Sequence, residues 1–442
     1  MILFILLLFV VAVVVWMTAR LNMHPFLALL FAALSMGFLA GLDGETLMGA
    51  LGRGFGSTLQ SIGIVIAAGA IIGEYLDRSG GAQVLAGRIL AWTGEKRAPL
   101  SMSITGYIVS IPVFCDSGFI VLSALNRAIA RRTKVSLGVL AVALASGLYA
   151  THVFVPPTPG PLAAAATIDA DIGWVMLLGL IVSLPVMASA LIWAVSFCNI
   201  ELNAGADSQQ QKVEKPSAEP PAFSVAILPI LIPILLIAGK SLAEYPTLPL
   251  GDGLFYQVFL FLGNPVIALL AGVILAFGMV RRGASRIRSE WLEEALKKAG
   301  VIILITGAGG AFGAVLRETD LGELAEQFVG SGEFAILVAF LAAAFLKSAQ
   351  GSSTVAIITS AAIMAPLVEP MGFGSAIGRA LIVLAIGAGS LTVSHVNDSY
   401  FWVVAKFSSM ETAQALRTHT VATFIMGITG LVTIQVIAWI VM

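Results

Sequence analysis

The chain contains few charged residues and few cysteines. Aspartate, glutamate, lysine and arginine make up 11% of its 442 residues, whereas soluble proteins contain about 25%. The two cysteines, Cys115 and Cys198, are too few for a disulfide framework and lack the spacing of a zinc site. The net charge of −1 excludes a strongly basic nucleic-acid-binding surface. We therefore predict no metal site, no cofactor and no nucleic-acid partner.

Hydrophobic residues are abundant instead: they make up 58% of the sequence and give a mean hydropathy of +0.98. Apolar stretches such as 2–17, 173–197 and 421–442 have the length of a membrane-spanning helix, which is about 20 residues. No basic residue precedes the first stretch, so we predict a permanent helix rather than a cleaved signal peptide. These patterns predict an all-α protein embedded in a lipid bilayer.

The two halves of the chain match each other at three places. The segment 67–76 matches 307–316 at two glycines and one leucine. Two further matches follow at nearly the same displacement: Asp116 with Gln350, and His152 with His395. Because the three matches occur in the same order, they predict an internal duplication.

Equivalent loops of the two halves carry opposite charge. Residues 77–97 contain four basic and two acidic residues, whereas residues 317–337 contain one basic and five acidic residues. Because basic loops stay on the cytoplasmic side of a membrane, we predict that the two halves have inverted orientations. Inverted repeats of this kind are typical of secondary transporters.

With these orientations, each half is predicted to contain five membrane crossings, one of them interrupted, and a re-entrant helical hairpin. Both termini are then predicted to lie outside the cell. The predicted boundaries are 1–198 for the first repeat, with hairpin 99–127 and interrupted helix 135–171; 199–222 for a cytoplasmic linker; and 223–442 for the second repeat, with hairpin 333–367 and interrupted helix 375–407.

Four polar stretches interrupt the apolar pattern, two in each half. In hydrocarbon an unsatisfied backbone amide costs several kcal/mol, so an unwound chain is expected only where it lines a cavity or is buried in protein. Each break also exposes helix ends, and the free N–H groups at a helix N-terminus suit an anion. We therefore predict a site for a small carboxylate where the four breaks meet. The stretches are VFCDSG (113–118), THVFVPPTPGP (151–161), KSAQGSST (347–354) and LTVSHVNDSYFWVV (391–404).

The polar stretches supply the candidate site residues. Asp116 lies in an apolar segment, where a carboxylate is costly unless it has a function. Lys347 could extend to the membrane surface, or it could bind the substrate carboxylate. Asn397 and Asp398 could cap the helix that follows them, a role that is compatible with substrate binding. The predicted substrate-binding residues are Ser117, Gly118, Thr151, His152, Thr158, Gly351, Ser352, Ser353, Thr354, His395, Asn397 and Asp398.

We assign four more polar residues no part in the site: Glu74 and Arg379 are interpreted as structural, and His24 and His419 as uninformative. Glu74 and Arg379 lie near predicted helix ends, and His24 and His419 are predicted to lie at the membrane interface.

The polar stretches also carry a resemblance. The sequence resembles the gluconate permease family, whose members are gluconate:proton symporters of the ion transporter superfamily. The matching motifs are THVFVPPTPGP, GSSTVA with a downstream APL, SHVND followed by FW, and SGF after Asp116. The resemblance covers essentially the whole chain. It implies a scaffold domain, a transport domain with two re-entrant hairpins, an elevator motion and a homodimer in the inner membrane of a bacterium.

By the same resemblance, the substrate would be gluconate or a related sugar acid or hydroxy acid, taken inward with protons. The chain departs from the family pattern at two places. Thr158 stands where the family commonly has a histidine in PPHPGP, and Asp116, at the start of DSGF (116–119), stands where the family has the glutamate of EVGF. A shorter carboxylate and a missing imidazole both alter the predicted site.

Asp116 and His395 are the candidates for binding the coupling proton. Burial disfavours the charged form of a carboxyl group, so Asp116 is the first. His395 is the second, because imidazole titrates closest to physiological pH. Sodium coupling, with a carboxylate or an amino acid as substrate, is the competing hypothesis, since serine, glycine and backbone carbonyls also suit a small cation.

Two further classes of function, a channel and an intramembrane enzyme, fit the sequence less well. A channel needs a continuous pore, whereas two inverted halves with central breaks favour alternating access. Ser394, His395 and Asp398 lie within five positions of each other, which rarely produces a catalytic triad, and neither HExxH nor GxSxG occurs. We therefore predict a secondary transporter without catalytic residues.

Overall fold

A computed structural model describes residues 2–19, 21, 23–133, 135–200, 220–243, 253–280, 285–319, 334–396 and 398–442. Within these ranges all regular secondary structure is helical, which confirms the predicted all-α class.

The first half of the chain forms nine α-helices over its described residues. They are α1 (Ile2–Ala19), α2 (Pro25–Leu39), α3 (Gly44–Arg78), α4 (Gly81–Thr93), α5 (Ala98–Val109), α6 (Cys115–Thr133), α7 (Leu137–Phe154), α8 (Pro159–Ile168) and α9 (Ile172–Phe197).

The second half is helical in the same way where the structure describes it. Its helices are α10 (Phe223–Ala243), α11 (Leu254–Leu262), α12 (Pro265–Phe277), α13 (Ser285–Arg317), α14 (Ala335–Gln350), α15 (Ser353–Met364), α16 (Ala376–Leu391), α17 (Ser399–Phe407), α18 (Thr412–Ala415) and, after a π-helical turn at Leu416–Thr420, α19 (Val421–Val441).

Short polar residues begin many of these helices. The side chains of Asp43, Asp171, Ser352, Ser375 and Asp398 each accept a hydrogen bond from a backbone N–H in the first turn of the following helix. Such caps satisfy backbone donors that have no partner within the helix. In an apolar chain, these caps fix where each helix starts.

Several helices are suited to cross a membrane by length and composition. Among the described residues five segments qualify, or up to seven if each of two bent helix pairs counts as one span. The ten crossings, the repeat boundaries and the re-entrant hairpins stay predictions, and most of the linker 199–222 lies outside the described residues. The five segments are Leu137–Ile168, Ile172–Phe197, Phe223–Lys240, Ile287–Arg317 and Thr412–Val441.

Helices α3 and α13 cross each other closely at glycines. A Cβ atom on Gly310 would lie 2.0 Å from Thr58 Oγ1, and one on Gly54 would lie 2.5 Å from Ala314 Cβ. On the same helices, a Cβ atom on Gly73 would clash with Pro112, and one on Gly309 would clash with Ile358. The two long helices therefore pack together and against the segments that contain the breaks.

Cysteine labelling tests the inverted orientation of the halves. We expect Glu318→Cys to react with an impermeant thiol reagent added outside intact cells, because the acidic loop 317–337 is predicted to be external. Arg131→Cys should react only after the membrane is opened, because it belongs to a basic loop. Both native cysteines are buried, so the unmodified protein is the background control. Reaction of both positions from the same side would contradict the inverted repeat.

Candidate functional site

Four helix breaks define the candidate site. We refer to α5 and α6 as the first helix pair, α7 and α8 as the first broken helix, α14 and α15 as the second helix pair, and α16 and α17 as the second broken helix. The breaks are residues 110–114, 155–158, 351–352 and 392–398, respectively.

Backbone chemistry explains where the chain unwinds. Pro156 and Pro157 lack the N–H group that a continuing helix needs. Gly351 ends α14 with φ of 81°, a left-handed conformation that glycine adopts without steric strain. At both places the sequence itself stops the helix.

A buried ion pair joins the second helix pair to the second broken helix. Lys347 Nζ lies 2.5 Å from Asp398 Oδ2, and the two side chains are 0% and 4% exposed. The same ammonium group donates to the carbonyl oxygen of Gly351 at 3.1 Å and lies 5.8 Å from the ring centroid of Tyr149. Lys347 therefore lies in the protein interior and does not extend to the membrane surface.

Asp398 has two further partners. Its Oδ1 accepts from the backbone N–H of Tyr400 at 3.0 Å, so it caps α17, in agreement with the capping pattern of the sequence. Its Oδ2 also accepts from the hydroxyl of Ser394. His419 Nε2 lies 3.3 Å from the same hydroxyl oxygen, and the His419 side chain is buried.

The structure therefore corrects the interpretation of His419 as uninformative for the site. His419 contacts Ser394 because the helix that carries it packs against the break of the second broken helix. Ser394 lies between the carboxylate and the imidazole, whereas in a serine hydrolase triad the imidazole lies between the other two groups. The arrangement is thus not that of a catalytic triad.

Contacts of Tyr149 and His395 bring more elements to the same place. The hydroxyl groups of Tyr149, on the first broken helix, and Ser353, at the start of α15, form a hydrogen bond. His395 Nε2 lies 3.2 Å from the carbonyl oxygen of Ser348, to which it donates. Tyr149 could not be singled out from the sequence, because a tyrosine inside an apolar helix is usually a packing residue.

Asp116 and His152 face this cluster from the first half of the chain. Asp116 lies close enough to Lys347 and Asp398 to interact with both electrostatically. His152 interacts electrostatically with the same two residues. Asp116 Oδ1 and His152 Nδ1 are buried and have no hydrogen-bond partner among the described residues. Such buried polar atoms are rare in proteins and call for an explanation.

The remaining predicted site residues have varied surroundings. Thr151 Oγ1 donates to the carbonyl oxygen of Tyr107 at 2.9 Å, and Thr158 Oγ1 donates to that of Val155 at 2.6 Å. These two hydroxyl groups are therefore engaged by the backbone. Ser352 caps α15, Ser117 and Thr354 are half-buried, and Gly118 is buried. Asn397 lies outside the described residues.

Glu74 and Arg379 form the structural contacts that their positions suggested. Glu74 accepts from Arg78 at 2.5 Å and from Lys298 at 2.6 Å. Arg379 pairs with Glu369 and donates to a carbonyl oxygen at the end of α8.

A separate cavity of about 940 Å³ lies at the ends of the helices. Arg53, Arg317 and Arg379 line it, together with acidic residues. Each guanidinium group already has a partner: Glu318, the carbonyl oxygen of Thr167, and Glu369, respectively. None of the described residues that line this cavity belongs to the four breaks, so the buried cluster at the breaks has the stronger claim to be the central site.

Comparison with known proteins identifies the family. The model of the GntP family permeases matches residues 1–440. The chain belongs to this family. An uncharacterized permease of Haemophilus influenzae is 38% identical over 90% of the chain and 84% of the relative, and a gluconate permease of Pseudomonas aeruginosa is 35% identical over 95% and 94%. The resemblance stated from the sequence is thus confirmed.

The permease also has the fold of a solved transporter. The crystal structure of the YdaH transporter of Alcanivorax borkumensis aligns with a TM-score of 0.66 at 14% identity, covering 95% of the permease and 99% of YdaH. Identity this low shows a shared fold only. Together with the family, the apolar helices establish a multi-pass membrane protein that is a permease and not an enzyme, as predicted.

Proposed function

We propose that the permease imports a sugar acid or a related hydroxy acid together with a proton across the inner membrane of a bacterium. The observation that carries the proposal is that the buried Lys347–Asp398 pair, the half-buried Asp116 with its buried Oδ1, and the N-termini of α15 and α17 come together at the breaks. The gluconate permease of Pseudomonas aeruginosa, 35% identical, supports a sugar acid as the substrate class.

The substrate carboxylate is proposed to bind Lys347 and the start of α15. The first backbone N–H groups of a helix carry partial positive charge and have no partner within the helix. Ser353 and Thr354 begin α15, only a few residues from Lys347. Asn397 and Ser352 are proposed to complete the carboxylate site. Thr151 donates its O–H to the carbonyl oxygen of Tyr107 and can only accept further hydrogen bonds, so Thr151, His152 and His395 are proposed to bind substrate hydroxyl groups.

Asp116 is proposed to carry the coupling proton, with His395 as the second candidate. Its Oδ1 is buried without a partner among the described residues, and a lone carboxylate inside a membrane protein is costly in its charged form. A proton on Asp116 also offsets the negative charge that the substrate brings. The proposal includes proton coupling, a homodimer and an elevator motion of the helix pairs and broken helices. We also propose that the 940 Å³ cavity is the outer entrance to the site.

Uptake into vesicles tests the proposal. With purified permease in sodium-free vesicles, a more acidic outside solution should drive accumulation of labelled gluconate or another sugar acid. Vesicles preloaded with unlabelled substrate should also show counterflow, a transient accumulation of labelled substrate, because a carrier returns loaded and a channel shows no counterflow. Accumulation that requires added sodium would replace proton coupling by sodium coupling. Uptake of amino acids but of no sugar acid would overturn the substrate class.

Hydroxyl substitutions test the carboxylate site. A hydrogen bond to a charged group contributes about 1.5–3 kcal/mol, so Ser353→Ala or Thr354→Val should each weaken sugar-acid binding roughly 10- to 100-fold. Thr359→Val is the matched control, because its buried hydroxyl group lies further along α15 without a partner among the described residues. Wild-type affinity in a combined Ser353→Ala, Thr354→Val and Asn397→Ala variant, measured by calorimetry, would refute this placement.

A further inference from the structure

The lysine proposed to bind the substrate is already occupied. The ammonium group of Lys347 lies 2.5 Å from Asp398 Oδ2 and 3.1 Å from the carbonyl oxygen of Gly351. An ammonium group has three donors, and Lys347 also lies over the ring of Tyr149. The side chain is fully buried, so bulk water does not reach it. Two of the three donors are used, and a carboxylate on the third would lie beside the negative charge of Asp398. A substrate carboxylate that binds Lys347 therefore competes with Asp398.

Asp398 keeps donors on both oxygens after it loses Lys347. Oδ1 retains the backbone N–H of Tyr400 at 3.0 Å, and Oδ2 retains the hydroxyl of Ser394. Asp398 also caps α17, and the partial positive charge of a helix N-terminus stabilises a carboxylate. Lys347 is placed differently: within the described part of the chain, Asp398 is the one carboxylate that forms an ion pair with it.

We propose that Lys347 exchanges partners, from Asp398 in the empty permease to the substrate carboxylate in the loaded one. This inference rests on the proposed function. It makes Asp398 a competitor of the substrate rather than a residue that binds it. The other titratable groups that face the pair are Asp116, Cys115, Tyr149, His152, Tyr400 and His419.

The exchange has a physical advantage for a carrier. A buried ammonium group without a counter-ion is strongly unfavourable. With Asp398 as the partner in the empty form and the substrate in the loaded form, the lysine is paired in both. An empty permease can then change conformation without exposing an isolated charge to the membrane.

Asp398→Asn removes the negative charge and keeps the cap of α17, because asparagine caps a helix as well as aspartate does. Equilibrium binding of gluconate to the purified full-length protein is compared between this variant and the wild type at the same pH. Without its competitor, Lys347 should bind gluconate roughly 10- to 100-fold more tightly than in the wild type. Damage to the structure does not tighten binding, so this result separates exchange from a merely structural role.

Ser394→Ala provides a second measurement that preserves both charges. When Lys347 turns to the substrate, the Ser394 hydroxyl is the donor that Asp398 Oδ2 retains. Without this hydroxyl the release of Lys347 becomes less favourable, so gluconate should bind roughly tenfold more weakly. The matched control is Ser390→Ala, which removes a buried hydroxyl group bonded only to the carbonyl oxygen of Gly387 among the described residues. The control should bind as the wild type does.

The outcomes separate the two proposals. If the wild type binds no sugar acid, both the proposed function and the partner exchange of Lys347 are wrong. If the wild type binds gluconate but Asp398→Asn binds it equally or more weakly, only the exchange is overturned. If Asp398→Asn does not fold, the Ser394→Ala measurement decides: weaker binding than in Ser390→Ala supports the exchange, and equal binding overturns it.

Discussion

Asp116→Asn is expected to abolish uphill accumulation of the substrate while leaving exchange intact. Asparagine has nearly the same size as aspartate but cannot carry a proton. A gradient of one pH unit is equivalent to about 1.4 kcal/mol and drives about tenfold accumulation when one proton accompanies each anion. In the variant the internal concentration should rise only to the external one. Labelled sugar acid in sodium-free vesicles measures both activities.

Asp43→Asn is the matched control for this experiment. Asp43 caps α3 from the start of the helix, far along the chain from the breaks, and asparagine preserves a cap. This control should accumulate substrate as the wild type does. If Asp116→Asn also accumulates substrate normally, the proton binds elsewhere, and His395 becomes the next residue to replace.

Lys347→Met is expected to destabilise the permease strongly. Removing one partner of a buried ion pair costs about 3–5 kcal/mol, because the remaining charge has no counter-ion. Here the remaining charge is Asp398, which is 3% exposed; it keeps the hydroxyl of Ser394 and the N–H of Tyr400 as donors, so we expect a cost at the lower end of that range. Thermal unfolding in a single detergent should show a large fall in the midpoint for Lys347→Met. Sugar-acid binding should be lost as well.

Two further variants serve as controls for Lys347→Met. Lys297→Met also removes an ion-paired lysine, but its side chain is 63% exposed, and exposed pairs contribute about 0–1 kcal/mol. Its midpoint should stay close to that of the wild type. The double variant Lys347→Gln, Asp398→Asn removes both buried charges and should recover most of the stability without recovering binding. A Lys347→Met protein as stable as the wild type would show that the pair is not buried as described.

Local chemistry made the breaks predictable from the sequence. Pro156 and Pro157 prevent a continuous helix wherever they occur, and Asp398 before Ser399 is a capping pattern that needs no distant partner. The glycines at 73 and 309 were noticeable because they recur in both halves. The structure adds their reason, since a side chain there would strike Pro112 or Ile358.

Membrane helices and the four polar breaks followed from the sequence by itself, because the apolar interior of a bilayer constrains every residue of a spanning segment separately. Which polar groups meet was decided only by the tertiary structure. The choice between a surface and a buried position for Lys347, the burial of His419 beside Ser394, and the contact of Tyr149 with Ser353 depend on how helices distant in the chain pack. Two charges pair in a low-dielectric interior only if they lie close together in space. Helix periodicity and composition do not give that distance.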